Sequence, residues 1–314
     1  MRKFIATSIL CILSLAITSC SSNEPPSETS TPEAETSPSQ ILFDDFSYSS
    51  TDEMTANGWI IRSGQGWPGV TGATFREENV SFVDYPDQAG NRFLRMTSST
   101  DGTSENTFQT QICHQRKYLE GTYAARVRFN DNPSSGTDGD EIVQTFYMIT
   151  PYDRPFNPDY SEMDFEYLPN GGWGGAPNTM HVTTWETVQI EPWNADNIGN
   201  AKQGSLSGWH TLVAQVTGGT VRYFVDAILI AQHGGQYYPD ALMSINFNLW
   251  FIDGGLNGEE TIREYQEDID WVFHAANESL MPDEVLAKVT ELRNESINFQ
   301  DTVPPGISTS PCDL

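Results

Sequence analysis

Between residues 41 and 277 apolar side chains recur at every second position in short runs, and clusters of Gly, Pro, Asn and Asp close each run. That pattern leaves few folds open, because a period of two suits a strand with one buried face and does not suit a helix. In GTYAARVRF, Tyr123, Ala125, Val127 and Phe129 share one face, while Thr122, Ala124, Arg126 and Arg128 share the other. EIVQTFYMIT, HVTTW, LMSINFNLWFI and DIDWVFHA read as further strands, with NDNPSSGTDGD and DGGLNG as turns between them. HTLVAQV and VRYFVDAILIA flank TGGT, a hairpin signal. So many strands without intervening helices predict an all-β domain, a two-sheet antiparallel β-sandwich. A chain of 314 residues has ample length to bury its core.

Only the segment 278–314 departs from this period. Ser279 is placed to cap a short C-terminal helix ending near Arg293, with Leu280, Val285, Leu286, Val289 and Leu292 near helical spacing. The helix and the tail after it are expected to pack outside the sandwich.

The N-terminus is a targeting segment. MRK supplies a positive start, FIATSILCILSLAI an apolar stretch, and ITSC closes residues 1–20. ITSC resembles the lipobox of bacterial lipoproteins, which implies lipidation at Cys20 and a membrane anchor. Ser21 rather than Asp after that cysteine points to the outer membrane, and the expected location is that of an exported bacterial lipoprotein at the outer membrane or cell surface/periplasm. Residues 21–40, SSNEPPSETSTPEAETSPSQ, cannot bury enough apolar area to fold and read as a disordered tether. Extended at roughly 3.1 Å per residue, it reaches about 60 Å.

Charge narrows the partners. Removing Arg2 and Lys3 takes the 16 basic residues to 14 against 43 acidic ones, a formal charge of −29. No basic run could neutralise phosphates, which excludes nucleic acid. The same field repels sulfated or uronate-rich polymers unless the binding cleft is locally basic. Cys113 and Cys312 remain after export, either as a bridge stapling the tail to the domain or as two separate thiols; an oxidising compartment favours the bridge.

Residues 161–168, SEMDFEYL, carry the chemistry. Read as a strand, they put Glu162, Asp164 and Glu166 on one face and Met163, Phe165 and Tyr167 on the other. Three like charges side by side repel, so stability gives no reason to place them there; by themselves they read either as a solvated acidic strand face or as an active site. Two glutamates four residues apart on one face, leaning together, leave a gap of roughly 5–5.5 Å, the separation used by retaining glycosidases. Asp164 between them shares charge or a proton, and the cluster raises the pKa of whichever acid ionises last.

This segment resembles the E-x-D-x-E strand of glycoside hydrolase family 16. WHTLVAQVTGGTVRYFVDAILIA is similar to that family's Trp-His-Thr strand and Tyr-x-x-Asp-Gly hairpin, with Ala227 in place of the glycine. FNLWFIDGG is similar to its Asn-Leu-Trp segment, and DIDWVFHA to its closing strand, with Phe273 and His274 departing from the common residues. The resemblance spans roughly residues 41–275. It implies a concanavalin A-like jelly roll, with Glu162 as nucleophile, Glu166 as acid/base and Asp164 as their partner. The five-residue form without a bulge is the one commoner in mixed-linkage and xyloglucan-acting members. It also implies a structural calcium on the convex side, for which Asp270 is the matching carboxylate; no cofactor is expected for catalysis.

A β-glycan needs flat apolar platforms, because pyranose C–H faces stack on aromatic rings. Asn248 and Trp250 match the resemblance's substrate-contacting positions. Trp173 stands in the glycine-rich loop PNGGWGG, His181 and Trp185 share a face of HVTTW, and Tyr147 lies on the strand before the motif. Trp209 and Trp271 read as core. Gly64-Gln65-Gly66-Trp67-Pro68-Gly69 fits a dinucleotide fingerprint, but no helix can start after it, so Trp67 becomes a candidate for the cleft border instead. The five histidines show no zinc spacing, and no GxSxG occurs. The expected activity is endo-hydrolysis of a polysaccharide such as β-1,3- or β-1,3-1,4-glucan with retention, by a monomer. A transglycosylase and a turnover-free lectin are the alternatives.

Overall fold

The computed structural model describes residues 39–85, 90–306 and Cys312. Cys20 and nearly all of the expected tether lie outside them. Among the described residues no helix is long and apolar enough to cross a membrane.

The strands in chain order begin with β1 (Ile41–Asp44), β2 (Ile60–Ile61), β3 (Gly64–Gln65), β4 (Thr74–Phe75), β5 (Val80–Asp84) and β6 (Arg92–Thr100). They continue with β7 (Phe108–Cys113), β8 (Gly121–Phe129), β9 (Ile142–Ile149), β10 (Glu162–Leu168), β11 (Thr179–Gln189) and β12 (Asn194–Gln203). The last six are β13 (Gly208–Thr217), β14 (Thr220–Val225), β15 (Ile228–Gly234), β16 (Ser244–Phe251), β17 (Arg263–Ala276) and β18 (Phe299–Asp301). Two helices accompany them, α1 (Thr51–Ala56) and α2 (Pro282–Asn294).

Hydrogen-bonded pairing sorts the strands into two antiparallel layers. One runs β2-β7-β16-β9-β10-β11-β12. The other runs β6-β17-β8-β13-β14-β15, with β5 on β6, and with β1 and then β18 beside the far half of β17. Alternation does the rest. Tyr123, Ala125, Val127 and Phe129 from one layer meet Met163, Phe165 and Tyr167 from the other in a single buried core, joined by Phe146 and Phe247. Each large apolar side chain among them withdrawn from water stabilises the fold by about 1.5–3 kcal/mol.

Helix α2 covers the outer face of the second layer, where Val285, Val289 and Leu292 pack on Phe43, Trp271 and Phe273. Trp271 is therefore core, but of this smaller outer cluster. Trp209 is half-buried on the same outer side, stacked on Tyr85 at 5.7 Å and edge-on to Phe93.

Three expectations about the C-terminal segment change. The helix begins at Pro282, not after Ser279: the Glu284 carboxylate accepts from the Met281 N–H at 2.7 Å, and Met281 is extended, as a residue before proline prefers. Leu280 cannot enter the helix because its N–H and C=O are held by Thr122 and Gln215 of the sheet. The tail, finally, is part of the sandwich, since β18 pairs with β1. Cys312 is joined to Cys113 by a disulfide, Cα–Cα 5.5 Å.

VRYFVDAILIA, a single run by periodicity, is split by a tight turn at Asp226–Ala227, both with positive φ (50° and 65°). This agrees with the hairpin that the resemblance implied.

Asp270 does not fit a calcium ligand. Arg126 Nη1 donates to its Oδ2 at 2.8 Å and Arg293 Nη2 to its Oδ1 at 2.9 Å, so two guanidinium cations already neutralise it. Among the described residues no group of three or more His, Cys, Asp or Glu could hold a metal.

Candidate active site

The open face of the first layer forms a cleft of about 620 Å³. Its floor is read directly from strand register. Glu162, Asp164 and Glu166 stand on β10 opposite Trp185, Thr183 and His181 of β11. On the other side Asp164 faces Tyr147 and Glu166 faces Thr145 of β9. The rows continue to Asn246 and Asn248 on β16, then to Cys113 and Gln111 on β7. Neither ladder of β10 is interrupted, so the motif carries no bulge.

The carboxylates are held by side chains as well as by backbone. Trp185 Nε1–H donates to Asp164 Oδ2 at 2.6 Å. The Tyr160 hydroxyl donates to Glu162 Oε2. A hydrogen bond between Asp164 and Glu162 favours the anion of Glu162 and the acid of Asp164. Gln111 Nε2 donates to the Tyr147 hydroxyl at 2.8 Å, and Arg62 Nη1 donates to Gln111 Oε1 at 2.7 Å.

Burial drives the electrostatics. It raises Glu162 to about 7, against the hydrogen bonds from Tyr160 and Asp164 that favour the anion. It raises Glu166 to about 8, with the charge of Glu162 adding to the shift. Asp164 is pushed well above the usual carboxylate range by burial and by the glutamates on both sides. The order is that of an ionised Glu162 beside protonated Asp164 and Glu166 near neutral pH. Burial also lowers His181, which faces Glu166 as a neutral ring.

All six expected substrate positions line this cleft: Tyr147, Trp173, His181, Trp185, Asn248 and Trp250. Trp173 is 59% exposed and stands 6.0 Å from Trp250. Its φ of +50° is costly for a tryptophan, a strain of about 1–3 kcal/mol that packing does not repay on so exposed a ring. Asn248 Oδ1 is buried with no hydrogen-bond partner among the described residues.

Sequence reasoning missed Tyr160, Gln111, Trp193 and two cleft arginines, Arg62 and Arg116. Tyr160 has the parity of Glu162, and extending the alternation one step backwards finds it. Trp193 sits in the polar turn EPWNAD, where the argument used for Trp173 applies equally. Nothing local marks the arginines. They place two cations in a cleft that also holds four carboxylates, Glu162, Asp164, Glu166 and Asp253. Trp67 does border the cleft.

Solved structures share this two-layer jelly-roll fold. The chain is similar to a β-glucanase of Bacillus licheniformis, with TM-score 0.53 and 17% identity over 76% of this chain and 99% of the other. It is similar to a glycoside hydrolase family 16 endo-glucanase from Bacteroides ovatus, with TM-score 0.57 and 16% identity over 73% and 98%. A laminarinase from a Flavobacterium species gives TM-score 0.54 and 17% identity over 75% and 99%. No family model matches the chain. No curated protein matches it in sequence.

Proposed function

We propose that the protein is an endo-acting retaining β-glycanase whose substrate is a β-1,3- or mixed-linkage β-1,3-1,4-glucan. The observation that carries this reading is the placement of Glu162, Asp164 and Glu166 on one open strand face, lining an aromatic cleft. The fold shared with β-glucanases and a laminarinase supports the substrate class.

Glu166, protonated, gives its proton to the glycosidic oxygen as the bond to the anomeric carbon breaks. Glu162, ionised, attacks that carbon to form a glycosyl ester. Water then attacks the same carbon, Glu166 takes its proton, and Glu162 is released with configuration retained. Asp164 returns its proton toward Glu162 when the ester is cleaved, and Trp185 holds Asp164 in register. Trp173 and Trp250 offer apolar faces to the sugar, and the unpartnered Asn248 Oδ1 accepts from a hydroxyl.

The N-terminal sequence supports export and lipid attachment at Cys20, with the domain displayed outside the membrane. Mass spectrometry of the membrane-extracted protein, showing an acylated Cys20 as the first residue, tests that part.

The domain 41–314, incubated with a panel of neutral and anionic polysaccharides, should release internal-cleavage oligosaccharides from a β-glucan with the β-anomer formed first. Glu162→Ala should lose turnover and keep glycan affinity. Wild-type binding without turnover on every member of the panel would replace the hydrolase with a lectin.

A further inference from the structure

Two tryptophans outside the floor meet above it. Trp67 and Trp193 lie with ring centroids 6.4 Å apart and planes inclined at 32°, although they are 43% and 57% exposed. They come from opposite sides of the cleft. The loop of Trp67 is fastened to β7, where Gln109 Nε2 donates to the Pro68 carbonyl at 3.2 Å and β4 pairs with β7. Trp193 stands in the turn between β11 and β12. In the sheet β16, β9 and β10 separate β7 from β11, so the ring contact bridges the catalytic strand. Trp185, whose N–H holds Asp164, lies 5.9 Å from Trp193 and at 87° to it, closing the base of the pair.

At 6.4 Å the pair is too tight for a sugar. A ring sandwiched between two indoles needs about 7–8 Å, twice a van der Waals contact of 3.5–4.0 Å. Glycines at φ +151° (Gly66) and +116° (Gly69) seat the loop closely, since a Cβ there would meet Arg62 at 2.4 Å or Gln109 at 2.2 Å. The rings themselves, 43% and 57% exposed, part by side-chain rotation.

We propose that Trp67 and Trp193 form a clasp over the catalytic strand, which parts to take one pyranose between its indoles and thereby selects all-equatorial, gluco-configured β-glycans. A sugar gripped on both faces must present C–H bonds on both. A gluco-configured ring does so, whereas the axial hydroxyl of a galacto-configured ring places a polar group on one face and leaves it unpaired against an indole. The inference rests on the glycanase reading and adds the sugar configuration to it.

The test uses Glu162→Gln protein, which cannot turn over, and titration calorimetry with β-1,3- and β-1,4-linked gluco-hexaoses and the corresponding galacto-hexaoses. The gluco series should bind at least about 10-fold more tightly. Trp67→Ala and Trp193→Ala should each weaken gluco binding by about 10-fold, on the scale of a lost aromatic stack, and change galacto binding by less than about 2-fold. Trp67→Phe, which keeps a ring, should restore most of the affinity. Gluco binding undiminished in both alanine variants, or equal loss in the two series, overturns the clasp and leaves the hydrolase standing. Absence of all binding by Glu162→Gln, with no turnover of these glycans by the wild-type protein, overturns the glycanase reading and the clasp with it.

Discussion

The Trp185 indole N–H points at Asp164 Oδ2 across 2.6 Å, from the strand next to the one that bears the carboxylates. The middle acid of the motif is thus oriented by a ring that also faces the cleft. Trp185→Phe keeps the ring and deletes the donor. Asp164 then loses its fixed orientation toward Glu162, and kcat should fall by about 10-fold with little change in KM. The loss of one hydrogen bond to an acid, about 1.5 kcal/mol, sets that scale. Steady-state kinetics on a β-glucan separate the two constants.

The pH profile follows from the carboxyl order. The proposed mechanism uses ionised Glu162 and protonated Glu166, so kcat/KM should be bell-shaped, rising through about 7 and falling through about 8. Tyr160 donates to the Glu162 carboxylate and lowers its pKa. Tyr160→Phe should therefore move the rising limb upward by roughly 1 pH unit and leave the falling limb in place.

Stability carries the opposite sign from that of an ordinary ion-paired carboxylate. The folded-state pKa of Glu166 is raised from 4.5 to about 8, so the folded protein holds a proton that the unfolded chain releases. Its contribution is fully present below about pH 4.5 and is lost as pH climbs through about 8. Glu166→Gln should flatten the decline of Tm over that window, and the variant should become the more stable protein near pH 9. Calorimetric scans across the range check this.

The disulfide closes a separation of 199 residues. Replacing both cysteines by serine should lower unfolding free energy by about 2–5 kcal/mol through the freed chain. Urea titration measures it. The Cys312 carbonyl accepts from Gln111 Nε2, the same amide that holds Tyr147, so the double variant should also raise KM.

The motif was legible because everything it needs is local: a period of two sorts Glu162, Asp164 and Glu166 from Met163, Phe165 and Tyr167 without knowledge of the neighbours. Trp173 was legible for a similar reason, being a large ring among glycines. What escaped depends on pairing across the chain. NADNIGNAKQ carries no alternation, yet it forms β12 because β11 offers it an edge; its residues stay largely exposed and leave no hydrophobic trace. Arg62 and Arg116 reach the cleft through the positions of β2 and of the chain after β7, which no local pattern encodes. Ser279 looked like a cap because its spacing to the apolar run is correct, and the sheet's hold on Leu280 is invisible in one dimension. Asp270 matched a calcium position, but Arg293, 23 residues further on, claims it. Where a residue's partner lies within a few positions, reading succeeds; where it lies a layer away, it does not.

Strand β1 lies between β17 and β18, with hydrogen bonds along both edges. It is also the first strand of the domain, immediately after the segment expected to lead to the membrane. Any pull arriving through residue 40 is borne by two ladders in parallel, which must break together before the strand can leave. A strand loaded from its N-terminal end would thus resist mechanical unravelling at the point where the load enters.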